Sequence, residues 1–272
     1  MRMRMDVNST TSTTPKPRRG IYLLPNLFTT GALFAGFYAI IAAISLHFTD
    51  AVIAVFVAGV LDGLDGRVAR LTNTQSEFGV QYDSLSDLVS FGVAPALVLY
   101  VWSLSTLKEY GPAWGKVGWA AAFIFAACGA LRLARFNTQA AVADKRYFTG
   151  LAIPAAAGLA MSFLWAMDDG GYSGAQMQFV TPFVAVIAGL LMVSRFRYFS
   201  FKTFPKSDRV PFFWILFAVL ILVALAIYPE RVLFAIAFLY ALSGPILTLW
   251  TLRQRRGQRD LAAPQAGDPP QP

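Results

Sequence analysis

The stretch LDGLDGRVARLTNTQSEFGVQYDSLSD, residues 61–87, carries four aspartates between apolar segments that are long enough to cross a bilayer. The four are Asp62, Asp65, Asp83 and Asp87. An ionised carboxylate at the centre of a bilayer costs roughly 2.5–3.5 kcal/mol on insertion scales, and less near the interface. Whatever offsets this cost is therefore the first indication of function.

The composition is typical of a polytopic membrane protein. Of the 272 residues, 56% are hydrophobic and only 14% are charged, which departs from an ordinary soluble domain. The formal net charge is +8, but the basic residues lie between apolar segments, so we expect no nucleic-acid partner. The single cysteine, Cys128, excludes a disulfide framework and is interpreted as a small buried hydrophobic residue.

Eight apolar segments are candidates for membrane-spanning helices, because a span needs about 20 mostly apolar residues. They cover residues 27–46, 51–70, 84–104, 117–136, 150–167, 178–194, 211–228 and 231–251. An even number of spans places both termini on the same side of the membrane.

The distribution of lysine and arginine indicates which side this is. All 23 basic residues except Lys108, Lys116 and Arg231 lie in the two termini or in loops on the same side of the membrane as the termini. The three exceptions lie in loops on the opposite side. The positive-inside rule therefore predicts that both termini and the aspartates are cytoplasmic, and the basic residues predict contact with anionic lipids. Residues 1–20 are polar and basic, without the apolar core of a signal peptide, and residues 253–272 are expected to be a disordered basic and Pro-rich tail.

The spacing of the aspartates predicts one shared cavity. On a helix, residues three or four positions apart lie on one face, so Asp62 pairs with Asp65 and Asp83 with Asp87. Two helices joined by a short connection would present four carboxylates to one another. Such a cluster needs positive charge, and Arg67 and Arg70 are too few to neutralise it.

Hard divalent cations meet this need. Carboxylate-rich, all-oxygen ligation favours Mg²⁺ or Mn²⁺, and no histidine or cysteine lies nearby. Two such ions are the usual apparatus of phosphoryl transfer. Two alternatives remain open at this point: the aspartates are helix caps and interfacial ion pairs, or they belong to an ion or proton carrier.

The same stretch resembles the signature of the CDP-alcohol phosphotransferase family, D-x2-D-G-x2-A-R-x8-G-x3-D-x3-D. All of its fixed positions are filled, by Asp62, Asp65, Gly66, Ala69, Arg70, Gly79, Asp83 and Asp87. The resemblance implies an all-α membrane bundle with a six-helix core at 21–205 and a two-metal site. Residues 206–252 would then be an addition of two transmembrane helices.

Further segments resemble one branch of that family, the phosphatidylserine synthases. These segments are LPNLFTTGALFAGFYAI (24–40), DSLSDLVSFGVAPA (83–96), CGALRLARFN (128–137), FTGLAIPAAA (148–157) and SRFRYFSFK (194–202). One departure is Ala152, where that branch often has proline. The likeness covers most of residues 20–205.

The resemblance implies a role for each signature residue. Asp62, Asp65 and Asp83 would be metal ligands, and Asp87 would share the metal site and act as general base, since a serine hydroxyl needs a proton acceptor and no histidine is present. The expected contacts of the nucleotide and its diphosphate are Asn26, Thr29, Gly66, Ala69, Arg70 and Gly79.

Two arginines near the end of the fourth span indicate an acceptor pocket. Arg132 and Arg135 share a helix face, and a guanidinium suits the carboxylate of an amino acid or a phosphate of the lipid donor. Asn137, Thr149 and Gly150 could complete this pocket. The alternative is that both arginines only anchor the helix end at the interface.

The expected reaction transfers the phosphatidyl group of CDP-diacylglycerol to L-serine and releases CMP, in the cytoplasmic membrane of a bacterium and in a homodimer. Other acceptors, such as glycerol 3-phosphate or an inositol phosphate, remain open, as does a divalent-cation carrier. His47 is the only histidine and no lysine follows it two residues later, which excludes the paired H-x-K chemistry of the phospholipase D type of phosphatidylserine synthase.

Overall fold

The computed structural model describes residues 23–72, 76–139, 147–199 and 212–262. Over these ranges the fold is an all-α bundle with one small two-stranded sheet. The α-helices are α1 (Leu23–Ile44), α2 (Phe48–Leu71), α3 (Glu77–Asp87), α4 (Ala94–Trp102), α5 (Pro112–Gln139), α6 (Ile153–Asp169), α7 (Thr181–Val193), α8 (Phe212–Ile227) and α9 (Pro229–Ala262). A π-helical segment, Leu88–Val93, joins α3 to α4, and a 3₁₀ segment, Leu104–Tyr110, follows α4. The predicted all-α class is confirmed.

Each of the eight predicted spans coincides with helix in the described residues. Four helical segments are long and apolar enough to cross a membrane, namely Pro25–Ile44, Glu77–Trp102, Pro112–Thr138 and Pro229–Thr248. The helices α6, α7 and α8 have 17, 13 and 16 residues. The longer α2 has 24 residues but ends in the charged segment that holds Asp62 and Asp65.

Small residues allow the helices at the centre of the bundle to approach closely. The faces of α1 and α2 that meet are largely alanine, and Ala39, Ala43, Ala51 and Ala58 are fully buried. Such interfaces are typical of membrane helices, where close backbone packing replaces the hydrophobic effect. At Gly36, an added Cβ would lie 2.5 Å from the Ser90 hydroxyl oxygen, so only glycine lets α1 approach the π-helical segment.

The π-helical segment begins directly after Asp87. Its wider turn changes the register of α3 relative to α4 within one continuous helix, and such bulges are frequent at functional sites. Ser90 donates a hydrogen bond to the carbonyl of Ala32 in α1 at 3.0 Å. On the other side, Gly92 and Gly129 face each other, which brings α5 close to the segment. The segment is thus held between α1 and α5.

A small two-stranded antiparallel sheet was not predicted. It consists of β1 (Tyr147–Thr149) and β2 (Arg197–Phe199), with Phe148 opposite Tyr198. The strands have only three residues each, which is too short for the period-two pattern that identifies strands in a sequence. Gly150 follows β1 with a φ of +82°, and its N–H donates to the carbonyl of Phe196 at 2.9 Å.

The C-terminal part of the chain departs from the prediction at one point. The disordered tail was expected from residue 253, but α9 continues as helix to Ala262. Residues 253–262 consist mostly of arginine, glutamine, leucine and alanine, which favour helix, so the last helix extends beyond its apolar part. Residues 263–272, the N-terminal segment 1–20 and the predicted domain boundary at 205 lie outside the described residues.

Candidate functional site

Three of the four aspartates meet at one point between α2 and α3. One carboxylate oxygen from each of Asp62, Asp83 and Asp87 lies within 4.8 Å of the others, and all three side chains are half-buried. The carboxyl groups of Asp62 and Asp87 are close enough to share a hydrogen bond. The helical spacing of the sequence therefore does bring the carboxylates of two helices together.

The fourth aspartate, Asp65, adjoins this group and is held in place. It is 5% exposed, and Thr29 in α1 donates a hydrogen bond to its Oδ2 at 2.6 Å. The charge of Asp65 acts on both Asp62 and Asp83. Since Thr29 is itself buried and also donates to the carbonyl of Pro25, the orientation of Asp65 is set by the start of α1.

The cluster suits a divalent cation. Among the described residues both salt bridges involve Arg231, and none involves an aspartate of the cluster. The alternative that these aspartates are interfacial ion pairs is therefore not what the structure shows. No salt bridge within the described part of the chain neutralises the converging carboxylate oxygens. Such a set of oxygens matches the ligand preference of Mg²⁺ and Mn²⁺. The residues present fit such ions.

Serine hydroxyls fix α3 against α1. Ser86, which is 2% exposed, donates to the carbonyl of Thr29 at 3.1 Å. Ser90 makes the equivalent bond to Ala32 one turn later. Because Asp83 and Asp87 lie on the same helix as these serines, the two bonds set the position of α3 relative to α1. The hydrogen bond from Thr29 to Asp65 in turn links α1 to α2.

Replacing Thr29 with valine keeps the shape of the side chain and removes the hydroxyl that orients Asp65. We expect metal affinity and activity to fall about 10–100-fold, the usual effect of losing a partner that orients a ligand. Mn²⁺ binding followed by electron paramagnetic resonance, together with the rate of product release, measures this. Thr49→Val, at the exposed far end of α2, is the matched control. Equal Mn²⁺ affinity in the Thr29 variant and the control would contradict the role of this bond.

Of the residues predicted to contact a nucleotide, Gly66, Ala69 and Arg70 lie on α2 directly after Asp65. At Gly66 an added Cβ would meet only the guanidinium of Arg70, at 3.8 Å, and at Gly63 it would meet nothing within 4 Å. The backbone of α2 is therefore open to a ligand beside Asp62 and Asp65. Ala69 lies on the same turn and is half-buried.

The start of α3 lies opposite, against α1. Ser76 caps α3 by accepting a hydrogen bond from the Gly79 N–H at 3.0 Å. A Cβ at Gly79 would lie 3.6 Å from the side-chain oxygen of Asn26. Asn26 and Gly79 are therefore neighbours, as a shared ligand requires, although their nucleotide contacts stay a prediction. Thr29 contacts Asp65 instead of opening toward solvent.

The charge of Arg132, near the end of α5, interacts with that of Asp87, and the guanidinium lies 5.9 Å from the ring centroid of Phe136. Asn137, one turn further along α5, donates to the hydroxyl of Ser84 at 3.0 Å. Since Ser84 follows Asp83, this bond joins the end of α5 to the carboxylate-bearing helix.

Arg135 has a different environment from Arg132. Its guanidinium donates to the carbonyls of Val193 at 2.9 Å and Thr149 at 3.0 Å, and so binds the end of α7 to β1. At Gly150 an added Cβ would collide with the Met192 carbonyl, so this glycine allows the end of β1 to pack against α7. Thr149 is exposed. Acceptor binding by these three residues stays a prediction, and the structure gives two of them another task.

Some contributors to the site carry no signal in the sequence. The bond between Thr29 and Asp65 joins residues 36 positions apart, and nothing in the local pattern indicates it. Ser86 and Ser90, by contrast, form a polar stripe at helical spacing in the sequence, so their role was accessible.

The comparison with known proteins identifies the family. A family model described as CDP-alcohol phosphatidyltransferase matches residues 22–193, a range that includes all four aspartates. The chain belongs to this family. Together with the four long apolar helices, membership makes it an integral membrane protein.

Curated relatives agree with this assignment. A protein of Helicobacter pylori named CDP-diacylglycerol--serine O-phosphatidyltransferase is 38% identical over 239 residues, which are 87% of this chain and 95% of that protein. A protein of the same name from Methanocaldococcus jannaschii is 36% identical over 192 residues, or 71% and 81% of the two chains. One from Mycobacterium bovis is 44% identical over 151 residues, 53% of this chain and 50% of that protein.

Proposed function

We propose that this member of the CDP-alcohol phosphatidyltransferase family transfers the phosphatidyl group of CDP-diacylglycerol to the hydroxyl of L-serine, giving phosphatidylserine and CMP. The observation that carries the proposal is the convergence of Asp62, Asp83 and Asp87 within 4.8 Å, with the charge of Arg132 acting on that of Asp87. This combines an anionic pocket for metal-bound diphosphate with a cation for an acidic acceptor. The relatives named above carry the serine enzyme's name.

The four aspartates would hold divalent ions, Mg²⁺ or Mn²⁺, and two ions suit a diphosphate donor. When bound, such ions withdraw charge from a diphosphate and stabilise the leaving group. Asp62 and Asp65 reach the site from α2, while Asp83 and Asp87 reach it from α3. Because Thr29 orients Asp65, and Ser86 fixes α3, the protein arranges these ligands in advance.

Asp87 is the proposed general base. It ends α3 at the start of the π-helical segment, and its charge interacts with that of Arg132, the residue proposed to hold the acceptor. It would accept the proton of the serine hydroxyl as that oxygen attacks the lipid-linked phosphorus. The bond from this phosphorus to the bridging oxygen breaks, and CMP leaves. Arg132 would hold the carboxylate of serine.

The lipid part of the donor requires an apolar path from the bilayer to the site. A cavity of about 230 Å³ lies between α2, α6 and the π-helical segment. It is lined by Val55, Phe56, Gly59, Val60, Phe91, Pro154 and Gly158. Gly59 is one helical turn from Asp62, so this cavity opens along the helix that carries the carboxylates. We propose that it receives an acyl chain.

Filling this cavity provides a test of donor binding. Gly158 has room, since an added Cβ would be 4.0 Å from the nearest ring atom of Phe56. Gly158→Leu is expected to raise the KM for long-chain CDP-diacylglycerol about tenfold, with a smaller effect on a short-chain donor. Gly158→Ala is the graded control and should have little effect. An equal loss with both donors would point to damage to the fold rather than to an occupied cavity.

The proposed location is a bacterial cytoplasmic membrane with both termini and the site on the cytoplasmic side. The excess of lysine and arginine at the termini and the loops on their side supports this orientation. Serine would then enter from the cytosol and the donor from the bilayer, and the basic residues would contact anionic lipids. Assembly as a homodimer also stays a prediction.

One assay separates the candidate functions. Purified protein is supplied with CDP-diacylglycerol, Mn²⁺ or Mg²⁺ and a panel of acceptors, and CMP is measured. We expect CMP with L-serine and little with glycerol 3-phosphate or inositol 1-phosphate. CMP with only a phosphorylated acceptor would replace serine as the substrate. Uptake of Mn²⁺ into vesicles without any CMP release would favour the divalent-cation carrier.

A further inference from the structure

The helix that carries Asp83 and Asp87 contains one residue more than a regular α-helix would need. The continuous helix Glu77–Trp102 is α-helical at both ends, but the Ala94 N–H donates to the carbonyl of Val89, five residues back. An α-helical hydrogen bond reaches only four residues back, so the π-helical segment encloses one additional residue. This segment begins directly after Asp87.

The pattern of burial along this helix reflects the additional residue. Ser86 and Ser90 are buried, and Leu97 lies 11 and seven positions after them. Both intervals are close to whole turns, so a regular α-helix would bury Leu97 on the same face. Instead Leu97 is 38% exposed, whereas Trp102, 12 positions after Ser90, is 5% exposed. Counting one residue fewer puts Trp102 on the buried face and Leu97 off it.

The additional residue decides which way α3 faces. The core fixes α4, since Val98 and Leu99 are fully buried. With α4 held there, a helix without the additional residue would turn α3 by about 100°, the rotation per residue of an α-helix. A side-chain tip about 5–6 Å from the helix axis would then move by about 8–9 Å. This exceeds the 4.8 Å within which the carboxylate oxygens of Asp62, Asp83 and Asp87 lie.

The π-helical segment has a defined seat between α1 and α5. Ser90 is fully buried and donates to the carbonyl of Ala32 in α1 at 3.0 Å. At Gly36, one turn further along α1, an added Cβ would lie 2.6 Å from the Ser90 Cα. On the other side, an added Cβ at Gly129 of α5 would lie 3.6 Å from the Cα of Gly92. The Ser90 hydroxyl therefore bonds the segment to α1 at a point where the two backbones nearly touch.

We propose that the π-helical segment directs Asp83 and Asp87 toward Asp62, and that Ser90 is the positioning residue that holds this segment in place. The inference rests on the proposed function, because it takes the converging carboxylates as the metal site. Ser90 itself touches neither metal nor substrate in this account. It acts through the orientation of α3.

The first test is Ser90→Ala in the full-length protein. We expect Mn²⁺ affinity, measured by electron paramagnetic resonance, to fall about tenfold, because the segment loses its hydroxyl bond to α1. The matched control is Ser162→Ala. Ser162 is also fully buried, but its hydroxyl donates to the carbonyl of Leu159 within its own helix at 3.3 Å.

This pair of variants separates positioning from a general structural role. Both remove one buried hydroxyl, so both should lower the melting temperature without Mn²⁺ by a similar amount. Ser162→Ala should keep the wild-type Mn²⁺ affinity, since its hydroxyl does not join two helices. Equal Mn²⁺ affinity in the two serine variants would overturn the inference.

The second test is deletion of Val89, which removes the additional residue between Asp87 and Ser90. Mn²⁺ affinity should fall more than about 100-fold, since both α3 ligands would turn away and even an orienting partner contributes 10–100-fold. Val89→Ala, which keeps the residue count, is the matched control and should bind Mn²⁺ as wild type does. A folded deletion variant with the affinity of Val89→Ala would contradict the proposal. If the deletion variant does not fold, the two serine variants decide the question.

Failure of the proposed function looks different. If wild-type protein binds no Mn²⁺, the metal assignment is wrong and the inference falls with it. If wild type binds Mn²⁺ but releases no CMP with serine, the acceptor is wrong while the role of Ser90 stands. If Ser90→Ala binds Mn²⁺ as tightly as wild type, the metal site stands and the role of Ser90 is wrong.

Discussion

Asp87→Asn is expected to lower the rate of CMP release about 10²–10⁴-fold, the usual contribution of a general base. The amide has the shape of the carboxyl group but cannot accept the proton of the serine hydroxyl. Because three other aspartates remain to hold divalent ions, binding of CDP-diacylglycerol should change far less than turnover. Single-turnover CMP release and equilibrium binding of the donor, measured on the same preparation, give the two quantities.

Asp50→Asn is the matched control for this experiment. Asp50 is an exposed aspartate in the first turn of α2, at the end remote from the cluster. It should leave both turnover and donor binding unchanged. Turnover within a few-fold of wild type in Asp87→Asn would remove Asp87 as the base. Loss of donor binding in parallel with turnover would make it a ligand only.

Asp62→Ala is expected to produce the largest loss of metal binding. Of the three residues whose carboxylate oxygens converge, Asp62 is the one on α2. Its removal leaves Asp83 and Asp87 of α3, with Asp65 adjoining them. We expect Mn²⁺ affinity to fall by more than about 100-fold, since even the loss of a partner that orients a ligand costs 10–100-fold. Titration of free Mn²⁺ by electron paramagnetic resonance measures the affinity directly, without any assay of activity.

The control for Asp62→Ala is Asp50→Ala, which removes the same group from the far end of the same helix. Its Mn²⁺ affinity should equal that of wild type. If Asp62→Ala also binds Mn²⁺ with unchanged affinity, the converging carboxylates are not a metal site. The alternative of a purely structural acidic cluster would then have to be considered again.

The sequence alone predicts the helices and the acidic cluster because both depend on local spacing. Apolar segments of about 20 residues indicate spans, and intervals of three and four place aspartates on one helix face. The convergence of Asp62 with Asp83 and Asp87 follows once the two helices are adjacent. The spans predicted at 150–167 and 178–194 also correspond to helices, α6 and α7, although these helices are shorter than a typical membrane span.

What the sequence could not predict depends on distant contacts. Thr29 is expected from the resemblance to contact the nucleotide, yet its hydroxyl reaches Asp65 on another helix. Arg132 and Arg135 look equivalent, because they are three residues apart, but in the described residues it is Arg135 that donates to carbonyls of β1 and α7. The three-residue strands leave no pattern. The packing of α9 against α6 and β2 also joins residues that are far apart in sequence, so no local pattern indicates it.

The most direct test of the metal-site account is anomalous diffraction from crystals of the wild-type protein grown with Mn²⁺ and a CDP-containing ligand. Data collected on either side of the manganese absorption edge locate the ion independently of any assumption about the reaction. We predict anomalous density between the carboxylates of Asp62, Asp83 and Asp87, with Asp65 adjoining it. Aspartates turned apart and paired with arginines, with no manganese signal between α2 and α3, would contradict the account.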